Sequence, residues 1–150
     1  MKTPRLVLAL LALAAAFALA ATGRAAERTS VRGILLAASN EPGAIDPRLA
    51  AYEPTLRRIL RFESYRFLGE DSTALGAEAK GQLAIGNGQQ LEIETERHDG
   101  QGIHVRVRWL AGGRTLMNTG LVLRAGVPAV LGGPATGKGG EVYAVILIGR

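Results

Sequence analysis

The stretch from Leu91 to Trp109 constrains the fold of this chain more than any other. Apolar or small residues alternate with charged ones on both sides of a polar break centred on Gly100. A period of two is typical of a β-strand with one buried face and one solvent-facing face. Two such runs joined by a short glycine-containing break predict a β-hairpin and, with it, a β-rich core.

The register of this hairpin follows from the rule that directly opposed residues share a face of the sheet. A turn centred on Gly100 pairs residues whose numbers sum to 200. The predicted apolar pairs are Leu91 with Trp109, Ile93 with Val107 and Thr95 with Val105. The predicted polar pairs are Glu92 with Arg108, Glu94 with Arg106 and Glu96 with His104. Oppositely charged pairs contribute only ~0.2–1 kcal/mol each, so they help select the register without holding the fold together.

The polar face of the hairpin is the candidate interaction site, and we call its six residues the charge ladder: Glu92, Glu94, Glu96, His104, Arg106 and Arg108. One interpretation is a solvated face whose charges neutralise one another, which is common on protein surfaces. The other interpretation is a face that binds a partner. The sequence favours the first interpretation and leaves the second open.

The N-terminus has the order of a secretory signal peptide. Two basic residues precede the apolar run from Leu6 to Ala20, and small residues follow it. The run is shorter than the ~20 residues that a membrane span needs. Cleavage is expected after Ala20 or Ala25, and Ala25 is preferred because the first predicted strand begins shortly after it. The alternative is an uncleaved membrane anchor. We therefore expect residues 1–25 to be removed, residues 26–150 to form one domain with no stable membrane span, and the product to be periplasmic or secreted.

Export changes the meaning of the basic composition. The chain has 18 basic and 13 acidic residues, a net charge of +5, but removal of Lys2, Arg5 and Arg24 leaves 15 against 13, or +2. That balance argues against nucleic-acid binding, which needs a basic patch or stripe. The chain has no cysteine, so an exported domain of this size must rely on an ordinary hydrophobic core.

The remaining segments predict one helix and several further strands. Asp46 and Pro47 are typical of a helix start, with Glu53 paired to Arg57. At Pro54 the helix either kinks or starts again with Pro54 in its first turn, and one kinked helix over about 47–61 is expected. Strands are expected at 31–38, 62–68, 75–85, 116–124, 127–131 and 142–148. The last strand is apolar on both faces and should be central in its sheet, covered by the helix on one side and by another sheet on the other.

Three connections complete the expected architecture. Residues 70–72 should form a turn, and residues 132–140 a glycine-rich loop. Around Gly86-Asn87-Gly88, a longer loop or a bulge would set Ile85 opposite Leu91 and Leu83 opposite Ile93 and keep the apolar faces matched, and the longer loop is preferred. The predicted fold class is α+β: a mostly antiparallel sheet or sandwich of about seven to eight strands with one N-terminal helix.

The segment from Gly132 to Gly139 has the glycine and lysine spacing of a phosphate-binding loop. Gly139 stands where that loop needs a serine or threonine to bind magnesium, and a strand rather than a helix is expected to follow. A glycine-rich hairpin loop is therefore the preferred interpretation, and no cofactor is expected.

Two further groups of polar residues have ordinary explanations. His98, Asp99 and His104 could contribute to a zinc site, but no fourth ligand or repeated spacing supports them. Ser39 lies near Asp46, but catalysis by a serine triad needs a positioned histidine. Exposed polar residues and turn or cap chemistry are the preferred interpretations, so neither a metal site nor catalysis is expected.

Residues 115–148 resemble the C-terminal hairpin pattern of secretins. A strand, a glycine turn at Gly126 and a second strand ending in Gly132-Gly133 precede a very apolar strand. The resemblance covers about 35 residues of a far shorter chain than a secretin, so it implies an exported β-protein and not a channel. The whole chain is also similar to small exported bacterial proteins of unassigned function. Neither resemblance implies catalytic residues.

The sequence therefore predicts a non-catalytic exported interaction domain that works near a cell-envelope assembly, with an envelope protein as its partner. The alternative is a module that binds cell-wall material or polysaccharide, although its aromatic residues are few and Trp109 is expected to point inward. A small hydrolase is the third candidate, with only two histidines as bases near neutral pH. The sequence does not determine the oligomeric state.

Overall fold

A computed structural model describes residues 29–76 and 79–150. The proposed signal segment, residues 1–25, lies outside the described residues. The strands are β1 Thr29–Ser39, β2 Ser64–Leu75, β3 Lys80–Gly86, β4 Gln89–Asp99, β5 Gly102–Ala111, β6 Arg114–Leu123, β7 Ala129–Ala135 and β8 Val142–Gly149. A 3-10 helix, Pro47–Tyr52, and the helix α1, Glu53–Ile59, lie between β1 and β2.

The eight strands form two four-stranded antiparallel sheets. The first sheet has the order β2-β1-β8-β7, and the second has the order β3-β4-β5-β6. Their inward side chains share one hydrophobic core, to which all strands of the second sheet contribute. The predicted α+β class, with a sandwich-like antiparallel sheet, is confirmed.

Strand β8 lies in the interior of its sheet, between β1 and β7. Val145 and Leu147 point into the core shared with the second sheet. Ala144, Ile146 and Ile148 point to the opposite face and pack in a second cluster that includes Leu49 of the 3-10 helix and Leu56 of α1. The prediction of a central strand covered by a helix on one side and a sheet on the other is confirmed.

Trp109 is the largest fully buried side chain of the core. Its indole Nε1 donates a hydrogen bond to Oε1 of Gln89 at 2.7 Å, and Gln89 is itself buried. The ring packs against Gly133 of β7, where a methyl group would collide with it. Gly133 thus lets the two sheets approach each other around the indole, and Gln89 satisfies its one polar atom.

The hairpin of β4 and β5 has the predicted register over most of its length. Leu91 opposes Trp109, and the pairing continues unbroken to Thr95 opposite Val105, with every pair summing to 200. A bulge at Glu96 then shifts the ladder, so that Arg97 rather than Glu96 opposes His104. The predicted Glu96–His104 pair is therefore wrong, because one extra residue in β4 is absorbed before the turn.

The connection between β3 and β4 is shorter than predicted. Asn87 and Gly88 both have positive φ and form a two-residue turn, which matches the twist of a hairpin. A bulge at Ile85 shifts the register by one residue, so that the apolar side chains of β3 and β4 point to the same face and Leu83 opposes Leu91. The preferred long loop is wrong, as are the pairs Ile85 with Leu91 and Leu83 with Ile93, because the bulge, the alternative to the longer loop, corrects the register.

The strand β2 continues through residues 70–72, where a turn was predicted. The whole strand pairs with β1, from Ser39 opposite Ser64 to Thr29 opposite Leu75, with a bulge at Leu68. The charged side chains of this segment do not interrupt the strand because each finds a partner: Arg32 donates to Glu70, and the amide of Ala84 donates to Asp71 at 3.0 Å. The predicted strand 75–85 correspondingly starts later, at Lys80.

Two other boundaries differ from the prediction. The prediction of one continuous helix kinked at Pro54 over 47–61 is wrong. A 3-10 helix ends at Tyr52 and α1 starts at Glu53, so that Pro54 lies in the first turn of α1 and costs no internal hydrogen bond. The Asp46 side chain accepts from the amide of Arg48 at 2.9 Å, which confirms the predicted cap. Residues 132–135 belong to β7 rather than to a loop, because β8 offers them a partner.

Replacement of Gly133 by alanine should destabilise the fold by roughly 1–3 kcal/mol, because the added methyl group would force the Trp109 ring or the sheet to move. Gly140→Ala is the matched control, since a Cβ there would contact nothing within 4 Å. Urea unfolding of both variants measures the difference. Equal stability of Gly133→Ala and the parent protein would contradict the packing described for Trp109.

Candidate functional site

The charge ladder lies on the outward face of the second sheet. The side chains of Glu92, Glu94, Glu96, Arg106 and Arg108 are between 35% and 52% exposed, whereas that of His104 is 15% exposed. The alternation that buries Leu91, Ile93, Val107 and Trp109 places these side chains on the opposite face. The structure therefore brings all six sequence-predicted residues onto one surface.

Ion pairs within the ladder differ partly from the cross-strand pairs. Glu92 contacts Arg108 directly across the strands at 2.8 Å. Glu94 opposes Arg106, but its carboxylate lies 3.8 Å from Lys80 on β3, and Arg106 instead binds Glu96 at 3.0 Å. Each acidic residue of the ladder thus has a cationic partner, and one of these partners, Lys80, lies outside the ladder on β3, where the hairpin pattern alone could not identify it.

The turn end of the hairpin holds a second group of charges around Asp99. Its carboxylate accepts from the amide of Gln101 at 2.9 Å and lies 3.5 Å from Arg97. Nε2 of His104 is 2.8 Å from Oδ2 of Asp99, but the approach does not have hydrogen-bond geometry. The amide of Gln101, followed by His104 and Arg97, holds the pKa of Asp99 below its ordinary value.

The residues considered for a metal site do not assemble into one. His98 is exposed in the strand end, while His104 lies against Asp99. Within residues 29–76 and 79–150, no three histidine, aspartate or glutamate side chains come together in a metal-binding group.

The glycine-rich segment has the geometry of a hairpin connection. Residues 132–135 lie in β7, and β8 rather than a helix follows the loop. Thr136 Oγ1 donates to Glu141 at 2.9 Å and accepts from the amide of Lys138 at 3.3 Å. The threonine hydroxyl therefore bonds to other residues of the same loop. A phosphate-binding loop is instead followed by a helix, and its serine or threonine hydroxyl binds magnesium.

The segment around Ser39 lines a shallow groove of about 450 Å³. Ser39 Oγ accepts from the amide of Glu41 at 3.0 Å, so the hydroxyl serves a turn. Arg66 binds both carboxylate oxygens of Glu141, at 3.0 and 3.2 Å, across the groove. No local sequence pattern predicts this pair, because 75 positions separate the two residues and only the sheet order brings them together.

Comparison with family models, with curated proteins and with solved structures gave no match. Among the described residues, no helix combines the length and the apolar composition that a membrane crossing requires.

A double-mutant cycle on Glu92 and Arg108, with glutamine at either or both positions, should give a coupling of ~0.2–1 kcal/mol that decreases in about 1 M salt. The matched control is the cycle on Glu94 and Arg106, which oppose each other but contact other partners, so its coupling should be smaller. Urea unfolding measures both cycles. A larger coupling for the control pair would contradict the ion pairs described here.

The depressed pKa of Asp99 predicts a loss of stability in acid. The pKa of the Asp99 carboxylate is lower in the folded than in the unfolded state, so the carboxylate stabilises the fold at any pH above its unfolded-state pKa. This contribution disappears as the pH falls through the folded-state pKa. Asp99→Asn should therefore be less stable than the parent protein at neutral pH, and the difference should shrink below about pH 4. Urea unfolding as a function of pH tests this, and Glu63→Gln, at an exposed position, is the control. A difference in the free energy of unfolding between Asp99→Asn and the parent protein that stays constant from neutral pH into acid would contradict the prediction.

Proposed function

We propose that this protein is an exported, non-catalytic interaction domain that binds a protein of the cell envelope through the charge ladder. The observation that carries the proposal is the concentration of charged, solvent-accessible side chains on one sheet face whose opposite face is anchored in the core. A surface fixed in this way can present a constant charge pattern to a partner without reorganising, which lowers the entropic cost of binding.

The ion pairs of the charge ladder would select a partner protein at close contact rather than attract it from a distance. Because each ladder carboxylate has a cationic partner, the face has little net charge to steer a distant ligand. A partner with complementary alternating charges would nevertheless match it, whereas a partner with the wrong sequence of charges would be rejected. We therefore propose a folded envelope protein rather than a highly charged polymer.

Export to the periplasm or the exterior is part of the same proposal. Its support is the order of charged, apolar and small residues over 1–25 and the secretin-like pattern of residues 115–148. Mass spectrometry of the protein from its producing cells should find residues 1–20 or 1–25 removed. An intact Met1 in the membrane fraction would contradict cleavage.

The two alternatives draw less support from the described residues. A sugar-binding module uses exposed aromatic rings, but the only tryptophan, Trp109, is fully buried. A serine hydrolase needs a base beside its nucleophile, but Ser39 is engaged in a turn, and both histidines lie at the distant turn of the β4–β5 hairpin. An interaction domain remains the proposal that these positions support best.

Capture from an envelope extract, with the purified domain as bait, tests the charge ladder when it is combined with a charge exchange. The double variant Glu92→Arg with Arg108→Glu keeps the ion pair but inverts its direction, so folding should persist while the captured partner is lost at least about tenfold. The matched control exchanges Glu53 and Arg57, an ion pair of 2.9 Å on α1, and should retain the partner. Equal capture by both variants would contradict the ladder as the binding face.

A further inference from the structure

Three of the four edge strands of this sandwich are protected against pairing with another chain. The edges of β2 and β3 meet each other: Gly69 of β2 packs on the backbone of Ile85, and the amide of Ala84 donates to Asp71. The edge strand β7 is short and contains Pro134 and a bulge. Prolines, bulges and short lengths are the devices by which proteins discourage edge-to-edge pairing.

The fourth edge, β6, has few of these protections. It pairs with β5 alone among the described strands, and it is ten residues long. A bulge at Leu116 disturbs its start, but Met117–Leu123 then pairs regularly with β5. The residues from Thr115 to Leu123 include no charge and no proline, and Val122 is 37% exposed beside the free edge. Such an edge is a template for an added strand.

A basic residue flanks this uncharged edge at each end. Arg114 begins β6 and Arg124 follows it, and both are exposed. Neither forms an ion pair with any residue in the described part of the chain, in contrast to the ladder arginines. Ten positions separate them, and because the bulge at Leu116 takes up one residue, the distance along the strand is about 30 Å. The edge therefore presents two cations that a strand laid along it would have to match.

These two cations disfavour a second copy of this chain as the occupant. The bulge at Leu116 sets Arg114 and Arg124 on opposite faces of the sheet, so an antiparallel pair of β6 strands would bring Arg114 of one copy to the same end as Arg124 of the other without setting them directly opposite. A parallel pair would set each arginine beside itself. Like charges directly opposite destabilise strand pairing. Acidic residues at both ends of an incoming strand would instead be complementary in either direction.

We propose that the free edge of β6 binds an extended segment of a partner protein by strand addition, and that this segment is uncharged in its centre and acidic at both ends. The inference rests on the proposed interaction function, to which it adds the binding mode and the chemistry of the partner. Backbone hydrogen bonds to β6 would provide affinity, and the contacts with Arg114 and Arg124 would select the partner.

An eleven-residue peptide with alternating threonine and valine between two terminal glutamates, capped at both ends, is the probe. Titration into the isotope-labelled mature domain, followed by NMR, should give saturable shifts of the β6 amides. Binding should be on the order of tenfold tighter than for the same peptide with lysine ends. The double variant Arg114→Glu with Arg124→Glu should reverse this preference. Arg58→Glu, at an exposed position on α1, is the matched control and should not change it.

Saturable shifts on β6 with the reversal of preference would support the inference. Failure of the glutamate-ended peptide to bind at millimolar concentration, equal affinity for both peptides, or shifts confined to other strands would overturn it. A peptide-free dimer formed through β6, detected by sedimentation, would also overturn it in favour of a second copy. The peptide titration needs no envelope extract, so the two proposals can fail separately. If the peptide does not bind but capture depends on the ladder, the strand-addition proposal fails and the ladder proposal stands. If the peptide binds β6 but capture does not depend on the ladder, the ladder proposal fails and the strand-addition proposal stands.

Discussion

The register of the β4–β5 hairpin is the constraint on which the rest of this structure depends. A slip of one residue would turn Trp109 to solvent and bring the arginines of β5 into the core. The register that avoids this also sets the indole against Gly133 of the facing sheet and within reach of Gln89. The same pairing decides both how the two sheets pack and which charges the protein presents outside.

The sequence predicted the parts of the fold that periodicity determines. The alternation around Gly100 fixed the pairs from Leu91 to Thr95, and the apolar run of β8 indicated its central place. The sequence did not predict the bulges at Glu96, Ile85 and Leu68, because one inserted residue preserves the overall alternation while it moves a local pair. Pairs between distant segments, such as Arg66 with Glu141, depend on sheet order and left no local pattern.

The charge ladder and the free edge of β6 are neighbouring surfaces with different electrostatic character. Ladder charges are compensated inside the protein, whereas Arg114 and Arg124 have no ion-pair partner in the described residues. The outward residues of β6 lie directly beside the arginines of β5, with Gly120 opposite Arg106 and Asn118 opposite Arg108. A strand added at this edge would therefore extend the sheet that carries the ladder, and one partner could contact both surfaces.

The central claim, that the hairpin register places Trp109 inside and the ladder outside, is tested most directly by cross-strand contacts in solution. NMR contacts between Hα protons should join β4 and β5 residues whose numbers sum to 200 as far as Thr95, and to 201 beyond the bulge at Glu96. Contacts between residues whose numbers sum to 199 or 201 in the segment from Leu91 to Thr95 would contradict it, because that register would expose the indole on the face assigned to the ladder.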